Sequence, residues 1–155
     1  MNNSKTYWSL LEPIWALVSI YDGKDAFLSQ LKTVTPKQKV LFATHWAQSE
    51  IRNGGMHQFF SNSSGVLAPE AVFGYRALGM ERCANTIVEA MRFFGDEYPR
   101  EREPRCRELD RYEENHPDDW DPFERLDDVF LDSINSECGG FESAATRFAY
   151  DDTAV

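Results

Sequence analysis

The apolar residues of this chain recur at three- and four-residue spacing almost throughout, and they rarely alternate. That period suits a helix, whose same-face positions lie at i, i+3, i+4 and i+7, and not a strand, whose faces alternate. Met80, Cys83, Ala84, Ile87, Met91 and Phe94 give the best amphipathic register, and Gly95 closes it. Prolines and glycines mark the other boundaries. Thr35-Pro36-Lys37-Gln38 reads as a cap, a proline suited to the first helical position, and an N3 amide that completes a capping box. The helix it opens has Val40, Ala47 and Ile51 on one side and Phe42 and Trp46 on the other, so it is expected to be central, with contacts on two faces. Ala68-Pro69-Glu70 opens another helix, which Gly79 ends. Tyr7–Tyr21, with Pro13 near its start, is expected to hold an N-terminal helix. A polar helix over Arg105–Asn115 and one over Pro122–Asn135 follow. Only Phe141–Tyr150 is ambiguous between helix and strand. The expected fold is all-α, a single compact domain of seven or eight helices.

Length and composition agree with one domain. A chain of 155 residues that is 42% hydrophobic and 14% aromatic has ample material for a core, which argues against disorder. No run approaches the roughly 18 apolar residues of a membrane span. The start, Met-Asn-Asn-Ser-Lys-Thr, lacks the basic and apolar regions of a secretory leader, so a cytoplasmic location is expected. Cys83, Cys106 and Cys138 are an odd number at no familiar spacing, and free thiols are expected.

Charge is segregated along the chain. Residues 1–80 hold seven Lys/Arg and five Asp/Glu, a net of +2, whereas residues 81–155 hold nine and twenty-one, a net of −12. The extreme is Glu113–Glu137, with ten carboxylates against the single Arg125. Such a block repels nucleic acid and membranes and attracts basic surfaces. At 100° per residue, Phe123, Leu126, Phe130 and Ile134 fall within about 80° of one another, and Asp121, Glu124, Asp128 and Asp132 form a similar arc almost opposite. Such neighbours lie about 5–6 Å apart at Cβ, and a DNA strand advances about 3.4 Å along its axis per phosphate on a longer winding path, so a carboxylate row can stand in for a phosphate row. Capping and the helix macrodipole also account for Asp121 and Glu124, and Asp128 and Asp132 can equally be solvated residues. Glu113, Glu114, Asp118 and Asp119 extend the candidate partner-binding surface. Paired acids for glycosidic or general acid/base chemistry would need a cleft, which an exposed stripe does not supply.

The most distinctive local string runs from Glu50 to Gly65. It reads as a helix–helix corner: Gly54 takes a left-handed stop, Gly55 allows close backbone approach, and a short helix carries Phe59 and Phe60 inward. Asn53, Gln58 and Asn62 can bond the orphaned backbone groups of the corner. The alternative makes His57, Gln58, Asn62 and Glu50 a polar ligand or catalytic site. The spacing matches neither a dinucleotide-binding fingerprint nor a P-loop.

The pattern Asn53-Gly54-Gly55-x-x-Gln58-Phe59-Phe60-x-Asn62-x-x-Gly65 resembles the signature of the bacterial DNA-mimic-protein (DMP-type) domain family. Ala77-Leu78-Gly79 and Leu126-Asp127-Asp128-x-Phe130 extend the resemblance, which runs from about Ala43 to the C-terminus. Met56 stands where the family more often has Phe. The resemblance implies an all-α fold over 1–155, with residues 1–34 as an N-terminal helical extension packed on it. It also implies a role for acidic members in occupying the DNA-binding surface of a transcription regulator.

No other chemistry stands out. His45, His57 and His116 are too scattered for a metal motif, so no metal or cofactor is expected. Cys138-Gly139-Gly140 can be a reactive-thiol turn, but the neighbouring Glu137 disfavours a thiolate. Arg100, Arg102, Arg105, Arg107 and Arg111 are interleaved with Glu101, Glu103, Glu108 and Asp110, which reads as an ion-pair surface. The leading expectation is a non-enzymatic acidic protein that binds a basic partner, such as a DNA-binding regulator, and neither nucleic acid nor membrane. An enzyme or small-ligand domain at the glycine corner is the second reading. A structural or homodimerising helical module is the third, favoured by any apolar surface left exposed on Tyr7–Tyr21.

Overall fold

The computed structural model describes residues 5–153, so Met1–Ser4, which carry most of the leader reading, lie outside the described residues. The described chain is all-α. Its helices are α1 (Trp8–Leu11), α2 (Gly23–Leu31), α3 (Pro36–Ser61), α4 (Ala68–Ala77), α5 (Glu81–Met91), α6 (Arg102–Asn115), α7 (Glu124–Ser136) and α8 (Phe141–Tyr150). Short 3₁₀ turns cover Glu12–Ile14, Ser63–Leu67, Arg92–Phe94 and Glu137–Gly139. No described helix is long and apolar enough to cross a membrane.

α3 is the central element, in contact with α1, α4, α6, α7 and α8. Its start is the capping box expected at Thr35: Gln38 N–H donates to Thr35 Oγ1 at 3.2 Å, and Thr35 N–H donates to Gln38 Oε1 at 3.0 Å. Val40, Leu41, Phe42, Ala43, Thr44, Ala47 and Ile51 are all buried, so this arm is covered on nearly every side. α4 lies close against it because Gly74 has no Cβ. A methyl group there would sit 2.6 Å from Thr44 Cγ2 and 3.1 Å from the Val40 carbonyl oxygen. One residue on, the buried Tyr75 hydroxyl donates to the Thr44 carbonyl at 2.8 Å. α5 and α7 bury the apolar faces read from their periodicity, Cys83, Ala84 and Ile87 on one and Leu126, Phe130 and Ile134 on the other.

Several boundaries differ from the sequence reading. Tyr7–Tyr21 is not one helix but α1, a 3₁₀ turn and bends, and the regular helix follows at Gly23–Leu31. Pro13 has no N–H to donate, and the aromatic side chains of Tyr7, Trp8 and Trp15 gather around His45 of α3. Trp15 stacks on Trp46 with centroids 5.3 Å apart, and Trp8 and Trp15 both lie against His45. Leu17 and Tyr21 remain 57% and 70% exposed, so apolar surface is left open on this segment. α6 starts at Arg102, three residues earlier than expected, and Phe141–Tyr150 is helical. α7 starts at Glu124 rather than Pro122, and Asp121 accepts the N–H of Phe123 just ahead of it.

Gly74→Ala should force α3 and α4 apart and cost about 1–3 kcal/mol. In a chain of this size that is a fall in Tm of several degrees, on the order of 2–4 °C per kcal/mol, measurable by thermal denaturation.

Candidate functional site

The corner in α3 is a bend between two arms, residues 36–53 and 56–61. The residue with positive φ is Gly55, at φ 75°, and not Gly54, at φ −151° and ψ 20°. A side chain at Gly55 would also collide with α7, since its Cβ would lie 2.5 Å from Asp127 Oδ2. The reason for that closeness is a cap supplied in trans. Met56 N–H opens the second arm and donates to Asp127 Oδ1 at 2.7 Å. Asp127 is half-buried in this position, and burial pushes its pKa up to about 6. The carboxylates of Asp121, Asp128 and Glu124 add to the rise, and the Met56 N–H opposes it.

The far end of the corner is held by α6. Arg105 is fully buried, and its guanidinium donates to Phe60 O at 2.9 Å, Asn62 O at 2.8 Å, Pro99 O at 3.3 Å and Arg100 O. Arg102 Nε reaches Ser61 O at 2.7 Å. The carbonyls of Phe60, Ser61 and Asn62 lie at the end of α3, where the helix dipole is negative and the acceptors would otherwise be orphaned. Burial lowers the pKa of Arg105 from the ordinary guanidinium value. Gly65 is the slot for this side chain, because a Cβ there would lie 2.6 Å from Arg105 Nε. Tyr98 donates its hydroxyl to Gly65 O at 2.6 Å, and Arg100 pairs with the half-buried Glu70. The arginine group is therefore divided: Arg107 and Arg111 form the expected surface pairs with Glu103 and Glu108, while Arg100, Arg102 and Arg105 brace the corner.

The polar residues of the motif do not cap the backbone as expected. Gln58 Nε2 and Asn62 Nδ2 both donate to Glu50 Oε2, at 2.7 and 3.3 Å, tying the second arm back to the first. Glu50, Gln58 and Asn53 line a shallow polar cleft of about 430 Å³ with Gln48, Ser49 and Arg52. His57 faces elsewhere, edge-on to Trp120 at 4.9 Å, so it does not converge with Glu50 and Gln58 as the ligand-site reading required. Phe59, Phe60 and Met56 are fully buried, as the corner reading expected. No cluster of three metal-ligating side chains occurs among the described residues. Cys138 lies in a turn at φ 54°, with its thiol on Gly79 O at 3.3 Å, and Glu137 caps α5 through the N–H groups of Arg82 and Cys83.

The acidic stretch divides by its partners. Asp132 pairs with Arg82 at 3.1 Å, and Arg125 pairs with Glu89 at 2.6 Å. Asp121 is half-buried with one oxygen on Phe123 N–H. By contrast, Glu113, Glu114, Asp118, Asp119, Glu124 and Asp128 are exposed, and among the described residues none has a cation within 4.0 Å. Glu124 suits the first turn of α7. Glu113 and Glu114 lie in the last turn of α6, where the dipole disfavours anions and no basic residue offsets them. Trp120, 47% exposed, stands in the loop between these two groups.

Two substitutions test the corner. Arg105→Met should cost about 3 kcal/mol or more in urea denaturation, because buried carbonyls lose their only charged donor. Asp127→Asn keeps a carbonyl acceptor for Met56 N–H and removes the charge. Because the folded-state pKa of Asp127 is raised, the ionised form is disfavoured in the native state. Its contribution to stability is greatest below the ordinary carboxylate pKa, falls as pH rises from about 4 to about 6, and is flat above. The stability of Asp127→Asn relative to the unsubstituted chain should therefore rise across that window in urea titrations at fixed pH values, and a difference that stays constant would refute this account.

Neither the curated proteins nor the solved structures yield a match to this chain. One family does, described as DMP19-like protein, and its match spans residues 32–149. That range begins with the approach to α3, ahead of the Ala43 start suggested by the glycine motif, and it takes in both partners of the corner, Asp127 and Arg105. On this match the chain belongs to the DMP19-like protein family.

Proposed function

We propose that this chain is a non-enzymatic acidic binding protein that occupies the DNA-binding surface of a basic partner, such as a transcription regulator. The observation that carries this reading is the set of six exposed carboxylates, Glu113, Glu114, Asp118, Asp119, Glu124 and Asp128, that have no cation partner among the described residues. Their placement brings no gain in stability at the end of α6, and like charges at helical spacing cost a few tenths of a kcal/mol per pair. They sit on two packed helices and the short loop between them, so their spacing is held by the core and not by a loose tail. In this mechanism the carboxylates fill the Arg and Lys sites that phosphates would otherwise fill. The net charge of −10 steers the encounter, and added salt weakens it. Asp132, satisfied by Arg82, contributes less than its place in the stripe suggests.

The experiment is affinity capture from the native host with the chain as bait, followed by elution with duplex DNA or rising salt. A basic DNA-binding protein should be captured, released by both treatments, and lost when the six carboxylates are changed to Asn or Gln. Changing Asp132 alone should leave capture within about twofold, the range of an exposed pair. Capture that survives the six changes would exclude this mechanism.

A further inference from the structure

The loop between α6 and α7 presents an aromatic ring among the carboxylates. Trp120 is 47% exposed, with Asp118 and Asp119 just before it and Asp121 just after. What sets this ring apart from a scattered surface residue is how firmly it is placed. His57, from the second arm of the glycine corner, lies against it with centroids 4.9 Å apart and ring planes at 85°. The same arm is fastened to α7 one residue earlier, where Met56 N–H donates to Asp127. The loop backbone is fixed as well. His116 N–H donates to Glu113 O at 3.2 Å, Asp119 N–H to His116 O at 3.0 Å, and Phe123 N–H to Asp121 Oδ1 at 2.8 Å. A tryptophan held in this way offers contact area with little conformational entropy left to lose on binding.

We propose that Trp120 is the anchor of the acidic surface and selects arginine over lysine in the basic partner, the guanidinium lying on the indole while its N–H groups reach Asp118 and Asp119. The inference rests on the acidic-surface reading above and names the side chain that this surface takes. A guanidinium is planar and weakly hydrated, stacks on aromatic faces, and spreads its donors in the ring plane, where carboxylate oxygens can accept them. An ammonium is a compact, strongly hydrated charge that carboxylates satisfy without a ring. Asp118 and Asp119 are exposed and have no cation partner among the described residues, so both are open to such a group. Charge excludes the other occupants. A base of single-stranded nucleic acid also stacks on tryptophan, but its phosphates would meet the ten carboxylates of Glu113–Glu137. A second copy of the chain brings the same negative charge. Interface hot spots are commonly a buried tryptophan or arginine ringed by polar contacts, and here the protein supplies the tryptophan and the partner the arginine.

Calorimetric titration of the full chain with acetylated octa-arginine and octa-lysine peptides tests this. The unsubstituted chain should bind octa-arginine more tightly. Trp120→Leu should lower the ratio of the two affinities by about two- to fivefold, the size of an exposed cation–π contact, with unchanged far-UV circular dichroism. Trp120→Phe, which keeps a ring, should retain most of the ratio. Changing the six exposed carboxylates to Asn or Gln should weaken both peptides. If those changes weaken both peptides and Trp120→Leu leaves the ratio unmoved, arginine selection is overturned while the acidic-surface reading stands. If the six changes leave both affinities unmoved, the acidic surface fails and this inference with it. Binding of oligo-thymidine that Trp120→Leu abolishes would overturn the proposal in favour of a nucleic-acid ligand.

Discussion

A single buried guanidinium holds the bend on which the rest of the structure depends. Arg105 has no carboxylate partner within ion-pair distance among the described residues, and it is fully enclosed. Its stability in that place comes from the carbonyls of residues 60 and 62, at the negative end of α3, and from those of Pro99 and Arg100. A buried cation is costly unless its donors are matched, and here the Phe60 and Asn62 carbonyls also gain a donor at the end of α3. The guanidinium fits because Gly65 leaves room for it. Removing either residue exposes the same unsatisfied helix end.

The opposite end of the bend is held by a carboxyl group whose oxygen accepts the Met56 N–H. Asp127 caps the second arm of α3 from α7, so the helix that carries the acidic surface is bonded directly to the glycine corner. The corner and the acidic face are thus one mechanical unit. The cation on one side and the carboxylate on the other complement the dipole of the short second arm at both ends. The acidic residues beside Asp127 make its ionisation harder, which links the charge density of the surface to the stability of the bend. The free chain carries that repulsion. Placing the carboxylates on helices fastened to the core keeps them in register despite it.

Much of the fold could be read from sequence. The capping box at Thr35, the buried faces of α5 and α7, and the inward Phe59 and Phe60 all follow from local spacing, and all are present. The N-terminal segment departs from the single helix its pattern suggests because Tyr7, Trp8 and Trp15 mimic a helical stripe yet gather around one residue of α3, His45, from a chain that turns. The corner was legible as a bend but not in its bonding. Gln58 and Asn62 turn to Glu50, and the caps come from residues more than forty positions away in Arg105 and about seventy away in Asp127. The Asp127 in the later Leu-Asp motif was visible as part of a pattern, yet nothing local distinguished it from the acidic residues around it.

Sequence alone determined that this chain is helical, where most helices begin and end, and that its negative charge gathers between Glu113 and Glu137. These are properties of near neighbours, governed by periodicity, capping and composition. Tertiary structure decided which charges are available. It set Arg82 against Asp132 and Glu89 against Arg125, assigned Asp127 and Glu137 to helix caps, and left Glu113, Glu114, Asp118, Asp119, Glu124 and Asp128 open to solvent. An ion pair or a cap needs two groups within a few ångströms. Only the packed arrangement of α3, α5, α6 and α7 brings residues so distant along the chain that close.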